Sequence, residues 1–150
     1  MFGKTIGFFQ MGFTLIELPI AIAIIGVISV GTSQFVELNA VRITPSMPNV
    51  ASNERDCSAT LTILDQTGTM LKQTTVAMGD GSVHNIQWSP VPSENTAPTQ
   101  VYAIISKPEP ALGLPAPCAR NGEIFATMEV KNSNGQTMVL LPAVQLPAVQ

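Results

Sequence analysis

Few side chains in this sequence are placed to do chemistry, and the one that stands out is a carboxylate. Glu17 lies near the start of an apolar run from Phe13 to Phe35 that holds no other charge. A carboxylate at a bilayer centre costs roughly 2.5–3.5 kcal/mol; toward one end the cost is smaller, but the group still asks for a cationic partner. Catalytic chemistry is harder to compose. His84 is the only histidine, and no cysteine or carboxylate cluster with metal-ligand spacing surrounds it. On a strand it shares a face with Ile86 and Trp88, which reads as a packed or half-exposed sheet residue. Asp80-Gly81-Ser82 lacks the oxygen-ligand spacing of a calcium loop and reads as a tight turn. There is no Gly-x-Ser-x-Gly elbow and no glycine-rich phosphate loop with its lysine. The residues point away from an enzyme: no catalytic residue, no metal site and no cofactor is expected.

The neighbours of Glu17 carry more. Gly12-Phe13-Thr14-Leu15-Ile16-Glu17-Leu18 followed by an apolar run resembles the processing signal of type IV pilins and the related pseudopilins. The resemblance implies a leader, residues 1–12, removed after Gly12 by a prepilin peptidase that also methylates the new N-terminus, Phe13. It implies that Glu17 guides assembly by pairing with the α-amino group of Phe13 on a neighbouring subunit. It covers about the first quarter of the chain. Two positions depart from the family pattern: Pro19 stands early in the apolar run, and Gln34 stands where a mid-helix proline is common. A second reading of the same stretch is an ordinary signal peptide. Lys4 would be its basic region, Leu18 to Val30 its apolar core and Ser29-Val30-Gly31 its small-x-small cleavage pattern, with a mature start near Thr32.

A membrane-crossing helix needs about 20 apolar residues, and the run is long enough. The three-residue spacing of Phe35, Leu38 and Val41 extends the expected helix beyond the membrane, giving a transmembrane and assembly helix over residues 13–42. Pro45 and Pro48 then mark a linker over residues 43–56. From Cys57 the pattern turns to β. Ala59, Leu61 and Ile63 alternate, Asp65-Gln66-Thr67-Gly68 signals a turn, and Thr69 to Val76 reads as the return strand. Ser82 to Trp88, Val101 to Ile105, Glu123 to Lys131 and Gln136 to Leu141 read as further strands. The segments 62–71 and 129–138 align with Asp65 against Asn132 and Gly68 against Gly135; shared turn chemistry accounts for this more simply than an internal duplication. The strand–Asp-x-x-Gly–strand rhythm loosely resembles immunoglobulin-like modules of exported proteins. Leu-Pro-Ala-Val-Gln occurs twice, at 141–145 and 146–150, and its proline argues against a central strand.

The expected architecture is therefore α+β: an N-terminal apolar helix followed by a small antiparallel β-sandwich-like domain over residues 57–150. With 150 residues there is room for one modest domain beside the helix. Seven basic and ten acidic residues leave a net charge of −3, and without a basic patch nucleic acid is not a primary partner. In an exported chain Cys57 and Cys118 favour a single disulfide over two free thiols. Closing a loop of about 60 residues is worth on the order of 4 kcal/mol in the chain-entropy model.

Two functions follow as expectations. The first is a structural subunit of a type IV pilus-like filament or pseudopilus. Its partners would be the prepilin peptidase and methyltransferase, other pilin or pseudopilin subunits, and the inner membrane, with the C-terminal domain outside the cytoplasm. The second is a secreted or anchored β-sandwich that binds a ligand and does not polymerise.

Overall fold

The computed structural model describes residues 21–43, 56–79, 81–91, 97–109, 112–118 and 124–145. Nine strands run through them: β1 (Ala21–Val30), β2 (Gln34–Arg42), β3 (Cys57–Asp65), β4 (Met70–Met78), β5 (Val83–Trp88), β6 (Thr99–Ser106), β7 (Ile124–Asn132), β8 (Thr137–Pro142) and β9 (Val144–Gln145). They pair, always antiparallel, into one sheet ordered β4-β3-β6-β1-β9 and a second ordered β5-β2-β7-β8. One apolar core draws on both, with Ile22, Ile25, Leu61, Ile63 and Ile105 from the first sheet against Val36, Leu38, Ile124 and Met128 from the second. The fold of the described residues is all-β.

This overturns the expected α+β architecture. Among the described residues no helix is long and apolar enough to cross a membrane, and the part of the expected helix that falls within them is β1, a turn and β2. Two physical features decide it. Six of the ten residues of β1 are Ile or Val, whose branched Cβ restricts χ1 and favours the pleated sheet. A continuous apolar run is also what a strand buried on both faces looks like; Ala21, Ile22, Ala23 and Ile25 are all buried between β6 and β9. In β2 the operative period is two rather than three. Val36, Leu38 and Ala40 point inward and are buried, while Phe35, Glu37, Asn39 and Val41 point outward. Between the strands the Gln34 amide donates to the Gly31 carbonyl at 3.0 Å, and the Gly31 amide to Gln34 Oε1 at 2.7 Å, which turns the chain from one sheet to the other. The leader 1–12, the assembly residues Phe13 and Glu17, and most of the linker lie outside the described residues.

The sandwich is built twice over. Moving four places along the chain from each strand of the order β4-β3-β6-β1, forward from β4, β3 and β1 and back from β6, gives β8-β7-β2-β5, which is the other sheet. The registers agree as well. Gln34 faces Asn132 in one ladder and Asp65 faces Val101 in the other, and 67 residues separate Gln34 from Val101 and Asp65 from Asn132. At the same offset Thr60–Thr75 matches Thr127–Pro142, and Ile63–Lys72 matches Val130–Val139. The ladder irregularity falls at the same step in both hairpins, after Ile63 and after Val130. The alignment of Asp65 with Asn132 is thus one point of a register equivalence that relates β2, β3 and β4 to β6, β7 and β8, and shared turn chemistry alone is too small an account of it.

The two hairpin turns are made alike. Asp65 Oδ1 accepts the amides of Thr67 and Thr69 at 2.9 and 3.0 Å, and Asn132 Oδ1 accepts those of Asn134 and Gln136, both at 3.0 Å. Gly68 and Gly135 then take φ of 89° and 81°, left-handed values that glycine adopts without a Cβ penalty. The repeat breaks at Pro142. β4 continues to Met78, whereas after Pro142 the first Leu-Pro-Ala-Val-Gln copy leaves β7 and crosses to the other sheet, where Val144 pairs with Ile24.

Candidate interaction surface

The outward residues of β5, β2, β7 and β8 form a face with two different ends. Cross-strand pairing lines up Val83, Val41 and Phe125 in one row, and Asn85, Asn39, Thr127 and Pro142 in the next. Further along come Gln87, Glu37, Glu129 and Leu140, and finally Phe35, Lys131 and Thr137. At the first end Val83 is 65% and Phe125 47% exposed. With Val41, Asn39, Thr127 and Pro142 they border an open, mostly apolar depression of about 600 Å³.

The other end is polar and internally matched. Lys131 Nζ donates to Glu37 Oε1 at 3.0 Å and Gln87 Nε2 to Glu37 Oε2 at 2.6 Å. Glu129 accepts from Asn39 Nδ2 at 2.9 Å and from Thr137 Oγ1 at 3.0 Å. Burial works against the charge on Glu37, yet the hydrogen bonds from Gln87, Lys131 and Asn39, with the Lys131 charge beside them, hold its carboxyl below the ordinary value. The Glu37 hydrogen bond in turn raises Lys131, against a smaller opposing effect of desolvation.

The duplicated architecture supplies an internal control for the apolar end. The position of Phe125 is taken in the first half by Ser58, that of Leu140 by Gln73 and that of Pro142 by Thr75, at the same ladder registers. Gln73 and Thr75 are exposed, so the fold accepts polar residues at those two sites; Ser58 is buried and bonded to the Pro115 and Ala116 carbonyls, surroundings that Phe125 does not share. Pro142 fits an edge: the Ala143 amide donates to the Ala126 carbonyl at 2.9 Å, so the proline nitrogen one residue earlier faces away from β7, where its missing N–H costs the ladder nothing.

The other residues singled out in the sequence are distributed elsewhere. Cys57 and Cys118 form a disulfide, with 4.8 Å between their Cα atoms, and both are buried in the core. Backbone bonds from Ser58 to Ala116 and from Cys118 to Ser58 hold the two segments together beside it. His84 is half-buried on the inward side of β5, opposite Ala40, and its Nε2 has no hydrogen-bond partner among the described residues. Ile86 is buried and Trp88 packs against the core. Gly81 has φ of 77° in the turn before β5, while Asp80 lies outside the described residues. Among the described residues no group of three or more His, Cys, Asp or Glu could hold a metal ion. The residues that reading the sequence missed are Val41, Val83, Phe125, Leu140 and Pro142; the period-two pattern of β2 would have exposed the first, and only the pairing of distant strands brings the others beside it. Compared with known proteins, the chain matches no family model, no curated protein and no solved structure.

Proposed function

We propose that this chain is an exported, disulfide-bonded β-sandwich binding module that docks a protein partner on the outward face of the β5-β2-β7-β8 sheet. The observation that carries this is the exposed apolar end of that face, where Val83, Val41 and Phe125 form one cross-strand row with Pro142 beside it. Exposed apolar surface that packing does not require is the usual mark of an interaction site. The disulfide supports an oxidising compartment. The work proposed is binding, with no catalytic step and no cofactor. Phe125→Asp should leave the β-sheet circular dichroism unchanged and abolish capture of the partner from the exported fraction. Equal capture by both proteins would overturn the reading.

A prepilin-type processing step is compatible with the sandwich and is carried by the Gly12 to Leu18 motif. A cut after Gly12, leaving Phe13 as a methylated N-terminus, spares every described strand. A cut at Gly31 removes β1, whose Val30 is fully buried. Intact mass with N-terminal fragmentation of the native protein distinguishes them: a start at Phe13 with one methyl group supports the first, and a start near Thr32 overturns both it and the sandwich described here. A filament role for Glu17 would have to proceed without an assembly helix running through residues 21–42.

A further inference from the structure

The two sheets are finished differently at their equivalent edges. β4 and β8 each pair on one side only, β4 with β3 and β8 with β7. At the registers where β4 carries Lys72, Gln73, Thr74 and Thr75, β8 carries Val139, Leu140, Leu141 and Pro142. Lys72, Gln73 and Thr75 are exposed, and a lysine on an edge is one of the devices that keep stray strands off it. β8 has no charge from Thr137 to Pro142, and its Met138, Val139 and Leu140 are all exposed.

The backbone of that edge is open as well. Residues of an antiparallel strand turn their N–H and C=O alternately toward and away from the neighbour. The Ala143 amide bonds to Ala126, and the register runs without a shift from Thr127–Pro142 to Val130–Val139. Leu141 and Val139 therefore face β7, while Pro142 and Leu140 face away. Leu140 offers a donor and an acceptor on the open side, and Pro142 an acceptor alone. Met138 is the extra residue where the ladder shifts, so the regular edge runs from Val139 to Pro142. The charges beside it are already matched: Glu129 accepts from Asn39 and Thr137, and Lys131 donates to Glu37. A charged partner finds no counter-ion there. Unpaired strand groups on an uncharged apolar edge are complementary to another strand.

We propose that β8 takes up an extended, uncharged strand from another protein. This rests on the reading of the β5-β2-β7-β8 sheet as a docking surface and names the form of the partner. The incoming strand runs antiparallel, like the strand pairs described above. Its residue opposite Leu140 exchanges both backbone bonds, and its residue opposite Pro142 donates to that carbonyl. The residues opposite Val139 and Leu141 are apolar, because they lie on the core side of the sheet, where Leu141 already packs against the core. In such an addition the main-chain bonds supply affinity and the alternate side chains selectivity.

The test uses the full, disulfide-bonded chain and, as probes, capped octapeptides that alternate Val or Ile with Thr. Amide hydrogen exchange of the protein is followed by NMR as peptide is added. The Leu140 amide is expected to exchange at least tenfold more slowly at saturation, and peptides with Lys in place of Val or Ile to have no effect. Leu140→Pro removes the outward donor without touching the β7 ladder, and Val139→Lys gives β8 the charge that β4 carries. Each should raise the peptide Kd at least tenfold, whereas Gln73→Pro, the matching change on β4, should leave it unaltered. No binding, binding that leaves Leu140 exchange unchanged, or equal Kd in Leu140→Pro and Val139→Lys would overturn the proposal. Leu140 protection that rises with protein concentration in the absence of peptide would also overturn it, by giving the edge to a second copy of the chain. The capture experiment with Phe125→Asp decides the docking surface separately, so the failure of one is not mistaken for the failure of the other.

Discussion

Glu37 shows how one outward side chain sets the acid limit of the sheet. Burial pushes its carboxyl up, the bonds from Gln87, Lys131 and Asn39 pull it down, and the latter prevail. A carboxyl lowered on folding contributes stability that is complete above its ordinary value of 4.5 and is lost as pH falls through the folded value. Lys131 is raised, so its contribution is complete below 10.5 and is lost as pH rises through its folded value. Thermal unfolding against pH should therefore show a plateau that falls on both sides. In Lys131→Met the acid limb should flatten, because Glu37 moves back toward its ordinary value; an unchanged limb would assign it to Asp65, whose carboxyl the Thr67 and Thr69 bonds also hold low against desolvation. The same scale separates packing from display. Leu38→Ala, at a fully buried site, should cost about 2–5 kcal/mol, whereas Leu140→Gln, copying the residue at the equivalent register, should stay within about 0.5 kcal/mol. Denaturant unfolding of the two variants checks both numbers.

At the scale of the element, turns were the most legible feature and the apolar run the least. Asp65 to Gly68 and Asn132 to Gly135 announce themselves through residues that only a few backbone conformations favour, and the strands around them lie where alternation put them. Gly68→Ala and Gly135→Ala should each cost about 1–2 kcal/mol, since both glycines hold left-handed φ, and the two losses should be similar because the turns share their bonds. Unequal losses in denaturant unfolding would break the equivalence at the turns. The stretch from Ala21 to Val30 misled because composition alone does not separate a membrane helix from a strand whose first half, Ala21 to Ile25, is buried on both faces. In β2 the spacing of Phe35, Leu38 and Val41 matched a helix while Val36, Leu38 and Ala40 matched a strand. Leu38 belongs to both series, and the pairing with β5 and β7, which no local window contains, settled the matter. The apolar end of the outward face was hidden for the same reason, since Val83, Val41 and Phe125 come together only through two ladders between distant segments.

At the scale of the whole molecule, the duplicated strand order makes stability a property of both halves together. Replacing Cys57 and Cys118 by serine removes the bridge across 61 residues and should lower stability by up to about 4 kcal/mol, with a single unfolding transition retained because neither half persists without the other. Two separate transitions would contradict the interlocked pairing. The same pairing fixes when the chain becomes rigid. β1 and β2 come first in the sequence, yet their ladder neighbours begin only at Val83 and end at Gln145. If such a chain is threaded N-terminus first through a narrow channel, β1 and β2 have nothing to pair with until the trailing half arrives, and within the leading half only the β3–β4 hairpin closes before then.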